Sequence, residues 1–557
     1  MKNLKITTGL MLFSMFFFTC SKKSGGGSVT PPAPNYSLTS WSINSIVSPS
    51  NVYDINKTPV IKFKFSAAVN KSTVTPVSLS FAEASGTAVN YNVSYQNADS
   101  TIVISPSTPL NSLAKFSVSL SNAIKSSQNG NLTGVTSFTF VTSIDSTRKF
   151  PLITDDSLLT LVQKQSFKYF WDFGHPVSGL ARERNGDLTT VTTGGSGFGI
   201  MSIPVAINRG FITRADGLTR LQTIVAFLKN TAPKFHGAFS HWMNGSTGAV
   251  VPFGPNDDGA DIVETSYLMM GLLTARQYFD GSDVGETNLR SDINTLYNAV
   301  EWDWFRQGAQ NVLYWNWSPN SGFAVNVKIQ GWNECLITYV MAASSLTHPI
   351  PKIVYDNGFA RNGAFLNGNS YYGYQLPLGS AYGGPLFFSH YSFMGINPNG
   401  LADAYANYQT QTKNHTLINY NYCKANTKNY FGYSDSCWGL TASDIQGGYT
   451  ASSPTNDQSF IAPTAALSSF PYTPAESMKA LKFFYYVLGD KIWKDYGFTD
   501  AFSLNNLWYA GSFLAIDQGP QIVMIENYRT GLIWNLFTSC PEVKNGMKSL
   551  GFTAPYL

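Results

Sequence analysis

Charge is scarce in this sequence: Asp, Glu, Lys and Arg together make up 13% of 557 residues, about half the usual share. The few cations are not gathered where a polyanion would need them. Residues 1–35 hold four Lys and no acid, residues 36–150 hold 8 basic and 4 acidic side chains, and residues 151–557 are net negative by 4. Phosphate neutralisation supplies most of a nucleic-acid binder's affinity, so the larger part is unsuited to nucleic acid. Six His stand singly, no H-E-x-x-H occurs and the Cys lack C-x-x-C spacing, so no metal site is expected. A G-x-x-x-x-G-K-[ST] loop and a G-x-S-x-G elbow are also missing, which removes phosphate-loop and serine-elbow chemistry. No cofactor is called for. Beyond the N-terminus no stretch of about 20 apolar residues exists, so the mature chain is not expected to cross a membrane.

What is present is aromatic and apolar. Phe, Trp and Tyr reach 14% and apolar residues 43%, ample for a large core and against disorder as the main state. A chain this long exceeds what one core organises, so at least two domains are expected. Of 12 Trp, all but Trp41 follow residue 150. Among so few charges they suit a neutral ligand with flat apolar faces, and sugars are the obvious class.

Met1–Thr19 reads as a signal peptide: Lys2 and Lys5, then an apolar run from Leu10 to Phe18. Cys20 follows directly, ahead of Ser21-Lys22-Lys23-Ser24-Gly25-Gly26-Gly27-Ser28 and a Pro-rich spacer, so residues 20–36 form a flexible tether. This resembles a bacterial lipoprotein signal, in which the Cys carries the lipid. Phe17-Phe18-Thr19 departs from the usual residues before it, and an ordinary secretory signal is the alternative. The resemblance implies an exported protein of the bacterial cell envelope, in the periplasm or on the outer membrane, touching the bilayer through its anchor only. Cys423 and Cys437 flank a short polar loop and are candidates for a disulfide there, while Cys335 reads as a buried thiol.

Residues 37–143 have period two. Val60, Ile61, Phe63 and Phe65 alternate with Lys62 and Lys64, and Ile102/Ile104, Phe116/Val118/Leu120 and Phe138/Phe140 follow. Short alternating runs between Ser, Asn, Gly and Pro predict a small antiparallel sandwich. The segment resembles the bacterial Ig-like domains that precede secreted enzymes, and a spacer role is expected. Residues 152–557 turn helical. Asp155–Phe173 opens on an Asp-Asp-Ser cap, and further helices are expected near 215–230, 261–279, 288–304, 332–346, 400–410, 475–488 and 505–517. Thr193–Gly199 is rich in Gly without dinucleotide spacing, and reads as a loop whose backbone approaches a ligand or a neighbouring helix.

The informative stretch is Asp257-Asp258-Gly259-Ala260-Asp261-Ile262-Val263-Glu264, followed by an apolar helix. Asp257, Asp261 and Glu264 share a helical face if the helix starts early. Acids at a helix N-terminus cap it and complement its dipole. A cap needs one acid, not four, and clustered carboxylates repel, so at least one should titrate high, as a general acid requires. Glu334 in Trp332-Asn333-Glu334 and Asp517 in Asp517-Gln518-Gly519-Pro520 sit in similar settings. Trp242, Phe253, Trp315, Trp332 and Trp508, near loop ends beside acids, are candidate sugar platforms; Glu526 and Arg529 are candidate substrate contacts, although a Glu and an Arg at that spacing commonly pair.

Residues 152–557 resemble glycoside hydrolase family 144, the bacterial glycoamylase-domain proteins. The matching stretches are Thr193–Phe198 with Gly199-Ile200-Met201, the Asp257–Glu264 cluster, Trp332-Asn333-Glu334, and Asp517-Gln518-Gly519-Pro520 continuing into Glu526-Asn527-Tyr528-Arg529-Thr530-Gly531. The resemblance implies an all-α (α/α)6 toroid behind the all-β sandwich, and hydrolysis of β-1,2-glucan with inversion; a monomer is expected. It places Asp257, Asp261 and Glu264 on one side of the catalytic centre and Glu334 and Asp517 on other helices. Inversion needs a carboxylic acid for the leaving oxygen and a carboxylate that activates water. Internal cleavage is expected, with release of sophorose or another oligosaccharide from a chain end as the alternative. Two other classes compete: a non-catalytic glycan-binding lipoprotein, and a lyase, which the net negative charge disfavours.

Overall fold

In Ile61–Phe65 the period of two has its expected result: Ile61, Phe63 and Phe65 are buried while Lys64 faces solvent. The computed structural model describes residues 35–47, 52–134 and 136–557. The leader Met1–Thr19, Cys20 and nearly all of the tether lie outside the described residues. The chain folds as two units, one comprising the described residues up to Leu110 with Phe116–Phe140, the other Asn111–Lys115 with Val141–Leu557.

The first unit is a two-sheet sandwich. Its strands are β1 (Leu38–Ile43), β2 (Ile46–Val47), β3 (Ile61–Phe65), β4 (Leu79–Glu83), β5 (Tyr91–Gln96), β6 (Thr101–Pro106), β7 (Lys115–Leu120) and β8 (Thr136–Val141). One sheet runs β2-β1-β3-β6-β5 and the other β4-β7-β8. Inner faces meet through aromatics: Trp41 stacks on Phe138 with ring centroids 4.1 Å apart, and Phe63 lies 5.2 Å from the same ring.

The second unit is mainly helical. Its first helix is α1 (Asp155–Trp171), whose cap is Thr154, not the expected Asp-Asp-Ser; the Thr154 hydroxyl accepts from the Ser157 amide at 3.2 Å, and Asp155 and Asp156 fill the first turn. Strand β9 (Thr190–Thr192) leads directly into α2 (Thr193–Asn208), so the Gly-rich run is the opening of a helix and not a loop. Glycine disfavours helix in isolation. Here tertiary packing overrides that preference. Every residue from Thr193 to Ala206 is buried, and α2 lies against α4 (Ile262–Tyr278), itself buried from Ile262 to Ala275. The two backbones touch where Gly197 meets the Tyr267 carbonyl and Gly271 meets Gly197, leaving no room for a β-carbon on either.

Helices buried all round belong to an interior, whereas one-sided helices cover it. α2 packs on α4 and on the late helix Ala515–Arg529, and α4 packs on α6 (Leu336–Ser344). The half-exposed helices α3 (Arg214–Asn230) and α5 (Val284–Asn298) pack on each other. Two expected helices are absent as drawn. Residues 505–517 hold the end of a hairpin, Phe502–Ser503 paired with Trp508–Tyr509, before a helix begins at Ala515. Near 400–410 the helix is Tyr408–Ala425; its buried face includes Gln411, Thr412, His415, Thr416 and Asn419, so no apolar period announces it. The four described cysteines, Cys423 and Cys437 among them, are buried free thiols, and the proposed disulfide is not formed. No described helix is long and apolar enough to cross a membrane.

Candidate active site

Two short sheets converge where α2 and α4 begin. Strand β10 (Trp242–Asn244) pairs with β9 and with β11 (Val250–Val251), setting Trp242 opposite Thr192. Strand β12 (Ala260–Asp261) pairs with β13 (Asn316–Trp317), setting Asp261 opposite Asn316. Each pairing delivers an aromatic ring and a helix N-terminus to the same place. Between them lies a cavity of about 380 Å³. Trp242, Phe253 and Trp315 form part of its wall, with Phe387, Tyr391 and Tyr449 also lining it. Glu183, Glu264 and Glu334 are its acids, and Arg184 and His241 its basic side chains.

Asp261 is the N-cap of α4. Its Oδ1 accepts from the amides of Val263 and Glu264, each at 2.9 Å, and its Oδ2 accepts from His241 Nδ1 at 2.8 Å and Trp315 Nε1 at 3.1 Å. Four donors saturate a carboxylate that is fully buried. Asp261 is therefore a cap and an anchor, and it does not itself line the cavity. Asp257 accepts from Asn316 Nδ2 at 3.0 Å; burial and the Asp261 charge push its carboxyl up to about 6. It stands beside the cavity but not in its lining. Asp258 fastens the loop through Ser318 and Asn320.

Glu264 is one turn into α4 and reaches the cavity. Its Oε2 accepts from the Gly194 amide at 2.8 Å, at the N-terminus of α2, and the Thr192 hydroxyl also donates to it. Gly194 has no space for a β-carbon against that carboxylate. Burial and then the Asp261 charge push Glu264 up to about 7 against the pull of His241. Glu334 enters from the loop before α6. The Tyr267 hydroxyl donates to its backbone carbonyl at 3.4 Å, as does Ser392. Burial, followed by the charges of Glu264 and Asp261, pushes its carboxyl up to about 7 too. Glu264 and Glu334 thus share one cavity, and each is held near neutrality by its surroundings, as proton-transfer groups require.

The other expected residues fall elsewhere. Asp517, in the first turn of Ala515–Arg529, is buried and outside the cavity lining; its carboxyl is hydrogen-bonded to that of Asp500. Asp500 Oδ2 accepts from the Asp444 amide at 2.6 Å, whereas Asp500 Oδ1 and Asp517 Oδ2 have no donor from any described residue, an arrangement that a proton shared by the two carboxyls would satisfy. Burial is the first cause that raises both, with Asp500 reaching about 7. Trp332 is core, 6.1 Å from Phe393 and 6.3 Å from Tyr408, and Trp508 lies edge-on to Phe460 at 5.3 Å; neither lines the cavity. Glu526 and Arg529 are structural. Glu526 is fully buried and accepts from Arg209 at 2.7 and 2.9 Å, Gln163 at 3.0 Å and Thr530 at 2.8 Å, while Arg529 binds Thr160, Gln163 and Asp156. Glu526 stands nine positions after Asp517 in the same helix, about 13.5 Å along the axis.

The sequence reading missed His241, Glu183, Arg184 and Asp500. Arg184 holds Glu183 through Nε at 2.7 Å and Nη2 at 3.2 Å, and reaches Asp444 at 3.3 Å. A neighbouring Glu-Arg pair carries no pattern of its own, and His241 is 20 residues from its partner Asp261. Among the described residues no group of His, Cys, Asp and Glu side chains is arranged to hold a metal ion.

Comparison with known proteins identifies the family. A bacterial Ig-like domain profile matches residues 39–142, and the glycoamylase family profile, described as "putative glucoamylase", matches residues 326–541. A solved structure from Bacteroides uniformis, described in the same words, is 56% identical, covers 73% of this chain and all of its own, and superposes with a TM-score of 0.72. An endo-β-1,2-glucanase from Chitinophaga pinensis, solved with sophorotriose and glucose, is 50% identical over 73% of this chain and all of its own, with a TM-score of 0.71. An exo β-1,2-glucooligosaccharide sophorohydrolase of Parabacteroides distasonis is 45% identical over 420 residues, 72% of this chain; the chain spans 58% of that relative's length. The chain belongs to the glycoamylase-domain family, of the glycoside hydrolase family 144 type.

Proposed function

We infer that the protein hydrolyses β-1,2-glucan with inversion of the anomeric centre. The observation that carries this is the pair Glu264 and Glu334, both pushed to about 7 in one aromatic-walled cavity. Water adds its oxygen to the anomeric carbon and gives its proton to one carboxylate, while the other carboxyl protonates the departing O2 as the glycosidic bond breaks. Trp242, Phe253 and Trp315 offer flat faces to neutral sugar rings. The printed activities of the Chitinophaga and Parabacteroides relatives support the linkage. An (α/α)6 toroid is the matching architecture, supported by the buried series α2, α4 and α6 and the outer pairing of α3 with α5.

Internal cleavage is the first reading of the mode. Release of disaccharide from a chain end is the second, favoured by a cavity of about 380 Å³, near the small end of ligand sites. Incubation with linear β-1,2-glucan, starch and other glucans of defined linkage decides the substrate. Only the first should yield reducing sugar, with α-anomer first by proton NMR. Chromatography of early products separates a ladder of lengths from a single disaccharide. Starch cleavage without β-1,2-glucan cleavage defeats the substrate, and initial β-anomer defeats inversion.

A further inference from the structure

His241 is the cavity side chain whose chemistry the two glutamates leave unused. It precedes β10, and its ring is fixed on two sides. Nδ1 lies 2.8 Å from Asp261 Oδ2, and the ring packs 4.1 Å from Phe253 and edge-on to Trp242 at 5.3 Å. Because Asp261 already serves as acceptor for three further donors, Nδ1 must be the protonated nitrogen. Nε2 makes no hydrogen bond with any described residue, and the ring is part of the cavity wall.

The charges around it are mostly negative. Glu264 on α4, Asp261 at its cap and Asp257 in the preceding loop each favour an imidazolium, and against the cost of burial they raise it to about 9. Glu264 itself faces His241, Asp261, the Gly194 amide of α2, the Thr192 hydroxyl of β9 and, across the site, Glu334; Tyr267 is nearby and neutral, its hydroxyl pushed far up by burial. The Glu183–Arg184 pair lines the same cavity. The surroundings are asymmetric: a cation, an amide and a hydroxyl favour the ionised form of Glu264 against the Asp261 charge, whereas Glu334 has its own backbone N–H in favour and the negative charges of Glu264 and Asp261 against.

We propose that His241 is a positioning residue of the reaction: an imidazolium moored on Asp261 that keeps Glu264 as the carboxylate activating water and leaves the proton on Glu334, the acid for the departing oxygen. This rests on the hydrolytic reading above. The proton ledger is closed, since Glu264 gains the water proton, Glu334 loses one to O2, and His241 keeps its own throughout.

His241→Asn retains a donor toward Asp261 and removes the charge. The rising limb of its pH–rate profile should move to higher pH by about one unit, with kcat at neutrality down about tenfold and KM nearly unchanged. A uniform loss at every pH with the limb in place, or an unchanged profile, would overturn the proposal. Histidine NMR of the wild-type protein gives a readout independent of turnover and of how the variant folds. One of six histidines should stay protonated to about pH 9, and its midpoint should drop in Glu264→Gln. If no histidine titrates above the ordinary range, the imidazolium does not exist and the proposal fails, whether or not β-1,2-glucan is the substrate.

Discussion

Glu264 and Glu526 are both buried glutamates on interior helices, and they differ in what surrounds them. Arg209 grips Glu526 with two nitrogens, and Gln163 and Thr530 add further donors. Glu264 has one backbone amide, one hydroxyl and an imidazole it does not touch through a hydrogen bond, with Asp261 and Glu334 as negative neighbours. A buried carboxylate saturated by an arginine is a fastening. One short of donors and crowded by like charge can trade a proton.

Substituting each residue tests the contrast, and the largest effect should come from Glu264→Gln. Its rate on β-1,2-glucan should fall about 100- to 10,000-fold with the thermal midpoint nearly kept, read by reducing-sugar release beside calorimetry. Glu526→Gln should do the opposite. It leaves Arg209 without its anionic partner and costs about 3–5 kcal/mol of stability, while the remaining folded fraction works at close to the normal rate. Equal loss of activity in both, at temperatures where both are folded, would erase the distinction between fastening and reactive acid.

The Asp500–Asp517 pair is the intermediate case, buried, short of donors beyond the Asp444 amide, and outside the cavity lining. Both carboxyls are raised in the folded state. Their stabilisation is therefore complete below the ordinary carboxylate range and is lost as pH rises through about 7, the folded value of Asp500. The wild-type thermal midpoint should fall by a few degrees between about pH 4 and pH 7, and Asp517→Asn should flatten part of that slope. A steeper decline in the variant would mean that the pair shares no proton.

Much of this site was legible in sequence where chemistry and local pattern coincide. Glu264 and Glu334 stand out as acids at the start of apolar helices, and Trp242, Phe253 and Trp315 as aromatics beside them. For Asp261 the sequence could not show its four donors, because His241 and Trp315 lie 20 and 54 residues away in the chain. Glu526 and Arg529 drew attention as a pair, but their partners Arg209, Gln163 and Asp156 lie more than 300 residues away in sequence. In the fold, the sandwich followed its period of two, whereas α2 contradicted glycine's propensity because close helix contact, absent from any local window, selects it.

The Gly194 amide has a consequence for how this site can change over generations. His241 can be lost from the lineage by a single codon change, and with it a charge beside Glu264. The N–H that Gly194 gives Glu264 is main chain, shared by every amino acid but proline, so no ordinary substitution deletes it. Any residue larger than glycine there meets the Glu264 carboxylate instead. Drift at position 194 is thereby opposed on steric grounds, and one donor of the environment that prepares the glutamate is inherited with the backbone.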